Sequence, residues 1–144
     1  MMDVAYPVNL SPQDDGSLLV SFPDVPEALT EGRTRTEALE EAADALVAAL
    51  GGYVREGRDV PCPSAAGPDQ PTVVLPSLMA AKLALYRTVR RAGLTPQTLA
   101  RRLGMAEQAA RRLLDLDSRS RIETIEEALA VLGKRLVVEV RDAA

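Results

Sequence analysis

The chain is 144 residues long, 47% hydrophobic and 26% charged, with one cysteine, Cys62, and no histidine. That apolar content is ordinary for a folded protein, and the missing histidine and second cysteine exclude intramolecular disulfides, cysteine-rich zinc sites and every histidine-dependent triad. The net charge of −4 conceals a split: Ser77 to Ala144 hold 13 basic and 8 acidic side chains, a balance of +5, whereas the first 76 residues hold 4 and 13, a balance of −9. Two halves with different kinds of partner are expected.

The start, MMDVAYPVNLS, has no basic end followed by an apolar block, so it is not a secretory signal. No apolar run approaches the roughly 18 residues that cross a bilayer, so a cytoplasmic protein without membrane association is expected. Val4 to Leu10 and Ser17 to Phe22 carry extended apolar patterns around the turn-forming SPQDDG, which predicts a hairpin. After Pro23 and Pro26, Ala28 to Arg33 supplies a third strand. Thr34 and Glu37 fit a capping box, and Leu39, Ala43, Leu46, Leu50 and Tyr53 fall on one face of the helix that follows, which should end near Gly57. PTVVLP, from Pro71 to Pro76, reads as a fourth strand, giving β-β-β-α-β.

Asp14, Asp15, Asp24, Glu27 and Glu31 could be catalytic only if they converged around magnesium, and their spacing does not require it. They read first as a solvated surface and second as one that attracts a basic protein. Cys62 sits between prolines with no histidine to activate it, so no nucleophilic role is assigned. No catalytic residue, metal or cofactor is expected.

The proline-rich stretch from Pro61 to Pro76 divides the chain near its middle. The expected domains are 1–63 with the strand 71–76, joined by the linker 61–70, and 77–144. In the second, Ser77 to Ala92 is helix-prone, with Met79, Leu83 and Tyr86 on one stripe and Gly93 to end it. Thr95 and Pro96 begin another helix, Leu99, Ala100 and Leu103 face inward, and Gly104 permits a tight turn. Met105, Ala109 and Leu113 then anchor a further helix, leaving Glu107, Gln108 and Arg111 outward with Arg112 at the flank. Glutamine and arginine are residue types that read adenine and guanine in the major groove, while Arg101 and Arg102 are better placed for phosphates. Equally, Arg111 could pair with Glu107 one turn earlier. Ser120 and Glu123 offer a second capping box before Ile122, Ile125, Leu129 and Leu132, closed by Gly133. KRLVVEV, from Lys134 to Val140, predicts a short strand that pairs with its copy in a second subunit or packs on its own chain.

The pattern of strand, acidic-glycine turn, strand, FPDVPEA, a glycine before an EAL helix and an EGRDVPCPS ending resembles the HicB antitoxin family of type II toxin–antitoxin pairs. Phe22, Pro23, Pro26, Gly32, Glu37, Ala38, Leu39, Gly57, Pro61 and Pro63 carry it, and LARRLGMAEQAARRLL resembles the helix-turn-helix form of that family. The resemblance implies an α+β chain: a partial ribonuclease-H-like domain without nuclease activity, then an all-α helix-turn-helix domain. It further implies that the first domain masks a small basic HicA-type toxin that cuts messenger RNA. The second domain would bind operator double-stranded DNA as a homodimer or higher oligomer, repressing the shared operon. Expected DNA contacts are then Gln97, Glu107, Gln108, Arg111, Arg112, Arg101 and Arg102, with Glu107 a departure from the usual pattern. Expected toxin contacts are Asp24, Glu27, Glu31, Glu37 and Glu41. The competing readings are a solitary helix-turn-helix transcriptional regulator with a ligand-sensing first domain, and a ribonuclease-H-like enzyme using magnesium.

Overall fold

The computed structural model describes residues 4–143. The first apolar run is not one strand but two, β1 (Ala5–Pro7) and β2 (Asn9–Pro12), which belong to different sheets. The break falls at Val8, whose side chain is fully buried and whose N–H donates to Pro71 O at 2.9 Å. β1 pairs antiparallel with β5 (Thr72–Val74), Ala5 opposite Val74 and Pro7 opposite Thr72. β2 pairs with β3 (Leu18–Ser21), and β3 with β4 (Leu29–Gly32), both antiparallel. The order before the first helix is therefore four strands rather than the predicted three. A partner more than 60 residues away decides the split, which local pattern cannot register.

The turn between β2 and β3 is closed by Gln13 N–H to Ser17 O, with Gly16 in the left-handed region and the Asp15 carboxylate accepting from the N–H and hydroxyl of Ser17. Paired residues share a face, so Asn9, Ser11, Leu19, Ser21, Leu29 and Glu31 lie on one side of this sheet and Leu10, Leu18, Val20, Thr30 and Gly32 on the other.

Helix α1 (Arg35–Arg55) covers that second side. The Thr34 hydroxyl accepts from Glu37 N–H as expected, while the Glu37 carboxylate accepts from Arg33 N–H, one residue before the cap. Ala38, Ala42, Leu46, Leu50 and Tyr53 are buried; Leu39 and Ala43, predicted on the stripe, are only half-buried. The one-residue rotation at the helix start has a steric cause. Gly32 packs directly on the backbone of Ala38, where an added Cβ would stand 2.4 Å from Ala38 N. Only small side chains fit against β4 at this approach. One turn further on, the fully buried Leu46 and Leu50 contribute about 2 kcal/mol each. Gly57, left-handed, ends the helix where predicted.

The remainder is helical: α2 (Ser77–Arg91), α3 (Pro96–Leu103), α4 (Glu107–Leu114) and α5 (Ile122–Val131). Thr95 accepts from Thr98 N–H, Pro96 takes the first helical position, and Gly93, Gly104 and Gly133 are left-handed at helix ends. Ala110, Leu113 and Leu114 hold α4 against its neighbours, so Ala110 occupies the inward position predicted for Ala109. Ile125, Ala128 and Leu129 do the same for α5, and no helix among the described residues is long and apolar enough to cross a membrane. One hydrophobic core runs from Tyr6, Val20 and Leu46 through Tyr53, Tyr86 and Val89 to Leu99 and Ile125.

Two further expectations fail in this half. The Ser120–Glu123 capping box does not form: α5 begins at Ile122 behind Arg121, without a side-chain cap, and Ile122 is exposed. Glu123 is thereby the second helical residue, one short of the position from which a box reaches back. Lys134 to Val140 forms no strand among the described residues, and Val137, Val138 and Val140 are 76%, 80% and 93% exposed. A strand needs a ladder partner, and neither small sheet of the chain includes this segment. Gly32→Ala should lower unfolding free energy by about 2 to 3 kcal/mol in a denaturant titration, because backbone rather than a flexible side chain must give way; an unchanged midpoint would refute the close-approach explanation.

Candidate functional site

The expected DNA contacts gather on α3 and α4. Gln97, Arg101, Arg102, Glu107, Gln108, Arg111 and Arg112 are all exposed, while Leu99 and Ala100 on α3 and Ala110, Leu113 and Leu114 on α4 are buried beneath them. Sequence periodicity places them because each helix makes barely two turns, leaving one inward and one outward face. Glu107 and Arg111 pair within α4, Arg111 Nη2 lying 2.6 Å from the Glu107 carboxylate. Such an exposed pair contributes only a few tenths of a kcal/mol. Its effect is to hold Arg111 along the helix and to offset its charge. Glu107 thus partners an arginine of this exposed face.

Lys82, which figures in the sequence only as one of the basic residues of this half, is completely buried on α2. Its ammonium donates to Arg112 O at 2.9 Å, Asp115 O at 2.7 Å and Ser118 O at 2.5 Å, at the carboxy-terminal end of α4 and the turn beyond. Burial pushes its pKa down, with the Asp115 charge opposing the shift. The sequence does hold a signal: in SLMAAKLALY, Lys82 stands three and four residues from Met79, Leu78, Leu85 and Tyr86, on the apolar side of the helix.

The five acidic residues expected at a toxin surface are dispersed. Asp24 accepts from the N–H and hydroxyl of Ser64, at 2.8 and 2.9 Å, tying the β3–β4 loop to residues beyond α1. Glu27 accepts from the Tyr53 hydroxyl at 2.8 Å, with Arg58 stacked over the Tyr53 ring. Glu37 serves the cap of α1. Glu31 is exposed on the outward sheet face, flanked by Leu29 at 59% exposure, and Glu41 is exposed on α1. Asp24 and Glu27 sit at one end of the three-stranded sheet. Glu31 and Glu37 lie at the other, around a polar depression shared with Asp15, Gly16, Ser17 and Arg33. Among the described residues no group of three or more His, Cys, Asp or Glu is arranged to hold a metal.

The Tyr53 hydroxyl, donating to the Glu27 carboxylate, holds its pKa below the ordinary glutamate range, with the Arg58 charge helping. The folded value lies below the unfolded one, so this contribution to stability is present above the unfolded pKa and lost as pH falls through the folded one. In a carbon-detected NMR titration Glu27 should titrate below ordinary glutamate and move upward in Tyr53→Phe. Equal titration in both proteins would refute the assignment.

Residues 5–84 match the family model described as the HicB-like antitoxin of bacterial toxin–antitoxin systems. Similarity continues past that boundary, through α3, α4 and α5. The chain is 41% identical over 134 residues to antitoxin HicB 2 of Photorhabdus laumondii, covering 93% of this chain and 94% of that protein. It is 38% identical over 131 residues to antitoxin HicB of Escherichia coli, covering 91% and 95%, and 37% identical over 138 residues to antitoxin HicB 1 of Photorhabdus laumondii, covering 96% and 88%. With a family model spanning more than half of its length and relatives matched nearly end to end, this chain belongs to the HicB-like antitoxin family.

Proposed function

We propose that this chain binds and neutralises a small HicA-type mRNA-cleaving toxin and represses its own operon by binding operator DNA. The observation that carries the DNA half is the joint exposure of Gln97, Gln108, Arg111 and Arg112 across two short helices turned at a left-handed glycine, with Arg101 and Arg102 beside them. In this reading α3 and α4 are a helix-turn-helix, α4 enters the major groove, and the arginines of α3 reach phosphates. The toxin half rests on family membership, on the −9 balance of the first 76 residues and on the outward face of the three-stranded sheet. That sheet, with α1, is taken as a partial ribonuclease-H-like fold kept for binding. Leu29 and Leu19 offer apolar contact there and Glu31 a charge for a basic partner, joined by Glu41 on α1. Inhibition is stoichiometric and requires no turnover by this chain.

Operator repressors bind paired half-sites as dimers, and the exposed Val137, Val138 and Val140 give a β-branched segment whose ladder a second copy would complete. Deleting residues 134–144 should then convert a dimer into a monomer by light scattering while leaving the circular dichroism of the helices unchanged; an unaltered mass would place the dimer contact elsewhere. Arg111→Ala together with Arg112→Ala should weaken operator binding by about 100-fold in a fluorescence anisotropy titration, as loss of one base contact and one phosphate contact requires. Full affinity in that double variant would sink the assignment of α4 as the reading helix. For the toxin half, one equivalent of the chain should abolish mRNA cleavage by the HicA-type protein, and undiminished cleavage at excess would refute neutralisation.

A further inference from the structure

Five helices are described, and four of them are closed by a left-handed glycine: Gly57 after α1, Gly93 after α2, Gly104 after α3 and Gly133 after α5. The exception is α4. It ends at Asp115 in an extended conformation, with no glycine to fold the chain back over the last carbonyls. Those carbonyls carry the negative end of the helix dipole and need donors. From another helix, Lys82 supplies one to Arg112 O in the last turn and one to the cap carbonyl, Asp115 O. Its three N–H groups meet three acceptors, Arg112 O, Asp115 O and Ser118 O, so the ammonium is saturated. No carboxylate within ion-pair distance shares it among the described residues; the Asp115 carboxylate accepts instead from Asp117 N–H and the Ser118 hydroxyl.

We infer that Lys82 is the positioning residue for DNA reading: from the core it fixes where α4 ends, and so the pose in which α4 presents Gln108, Arg111 and Arg112. The inference rests on the operator-binding reading given above. An apolar side chain at 82 would avoid the desolvation that a buried ammonium suffers, and would satisfy packing equally well. What it would not do is set direction. Leu113 and Leu114 permit an eight-residue helix to slide on its neighbours, whereas directional hydrogen bonds from one buried nitrogen to Arg112 O, Asp115 O and Ser118 O pin the carboxy-terminal end of α4 and the turn beyond it in place. Arg112 is itself one of the tethered residues, its carbonyl held inward while its side chain projects to solvent.

The test uses the full chain and three proteins: wild type, Lys82→Met, and Val20→Ala, whose site in β3 is remote from α4 and which controls for lost stability. Hydrogen exchange is followed by mass spectrometry on peptides from 107 to 120, and affinity for operator duplex is measured at a temperature where all three are folded. The expected result is faster exchange confined to 112–119 in Lys82→Met, with operator affinity down about tenfold. Val20→Ala should keep wild-type affinity. Restoring an ammonium by aminoethylating Lys82→Cys in the unfolded state, in a Cys62→Ser background, should recover both after refolding. Unchanged exchange in Lys82→Met would overturn the inference whether or not DNA binds. Faster exchange with full operator affinity would also overturn it, leaving Lys82 a scaffold group. Faster exchange in a chain whose wild type never binds operator would overturn the operator reading, and the reading role of Lys82 with it, while the tether on α4 stood. If Lys82→Met does not fold, wild type answers through nitrogen-15 NMR: a slowly exchanging Lys82 ammonium signal that shifts on adding operator supports the inference, and one indifferent to it overturns it.

Discussion

The irregular backbone from Gly57 to Pro61 is where both halves of the chain are fastened. Its carbonyls belong to no helix or sheet, and they are satisfied by side chains arriving from opposite directions. Tyr6, on β1, donates to Pro61 O at 2.6 Å; Tyr86, on α2, donates to Arg58 O at 2.7 Å. Arg87 reaches Pro61 O and Val60 O, and Arg90 reaches Gly57 O and the Asp59 carboxylate. The part-buried, charge-assisted bonds of Arg87 are worth more than exposed pairs such as Arg90 with Asp59 or Arg55 with Asp117. Without them α2 would lose its seat, and α2 is the helix on which the buried Lys82 stands. The sheet face and the α3–α4 face are thus built on one frame, around one continuous core.

That frame also shows what the acidic half does with its charge. Asp24, Glu27 and Glu37 are spent on the protein's own loop, tyrosine and helix cap, each accepting hydrogen bonds that a carboxylate satisfies well. A surface drawn from composition alone overstates the carboxylates available to a partner. Glu31 and Glu41 keep theirs for solvent, and the two leucines beside Glu31 give the sheet face the mixture of apolar contact and charge that protein interfaces use. On the other side of the molecule the basic excess is tempered in the same way, by the Glu107 to Arg111 pair.

Local chemistry was readable and long-range chemistry was not. Thr34 with Glu37, Gly57, Gly93, Thr95 with Pro96 and Gly104 act within a few residues of themselves, and the structure puts each where its type predicts. The division of Val4 to Leu10 into two strands depends on Pro71, and the rotation of α1 onto Ala38 and Ala42 depends on the close packing of Gly32, on β4, against the first turn of that helix. Serine three residues before glutamate suggested a box at Ser120, but α5 starts too late to close it. The outward placing of the residues expected to contact DNA on α3 and α4 was legible because short amphipathic helices leave little choice of face. Lys82 was hidden because a lysine is ordinarily a surface residue; only its place on the apolar side of α2 betrays it.

Direct isolation of the complex bears on the central claim that this chain is an antitoxin. Co-expression with the small open reading frame beside its gene, purification by a tag on this chain, and mass and composition in solution should yield a stoichiometric complex with a small basic protein that halts growth when expressed alone. A chain that purifies alone, beside a neighbour that proves harmless, would contradict it.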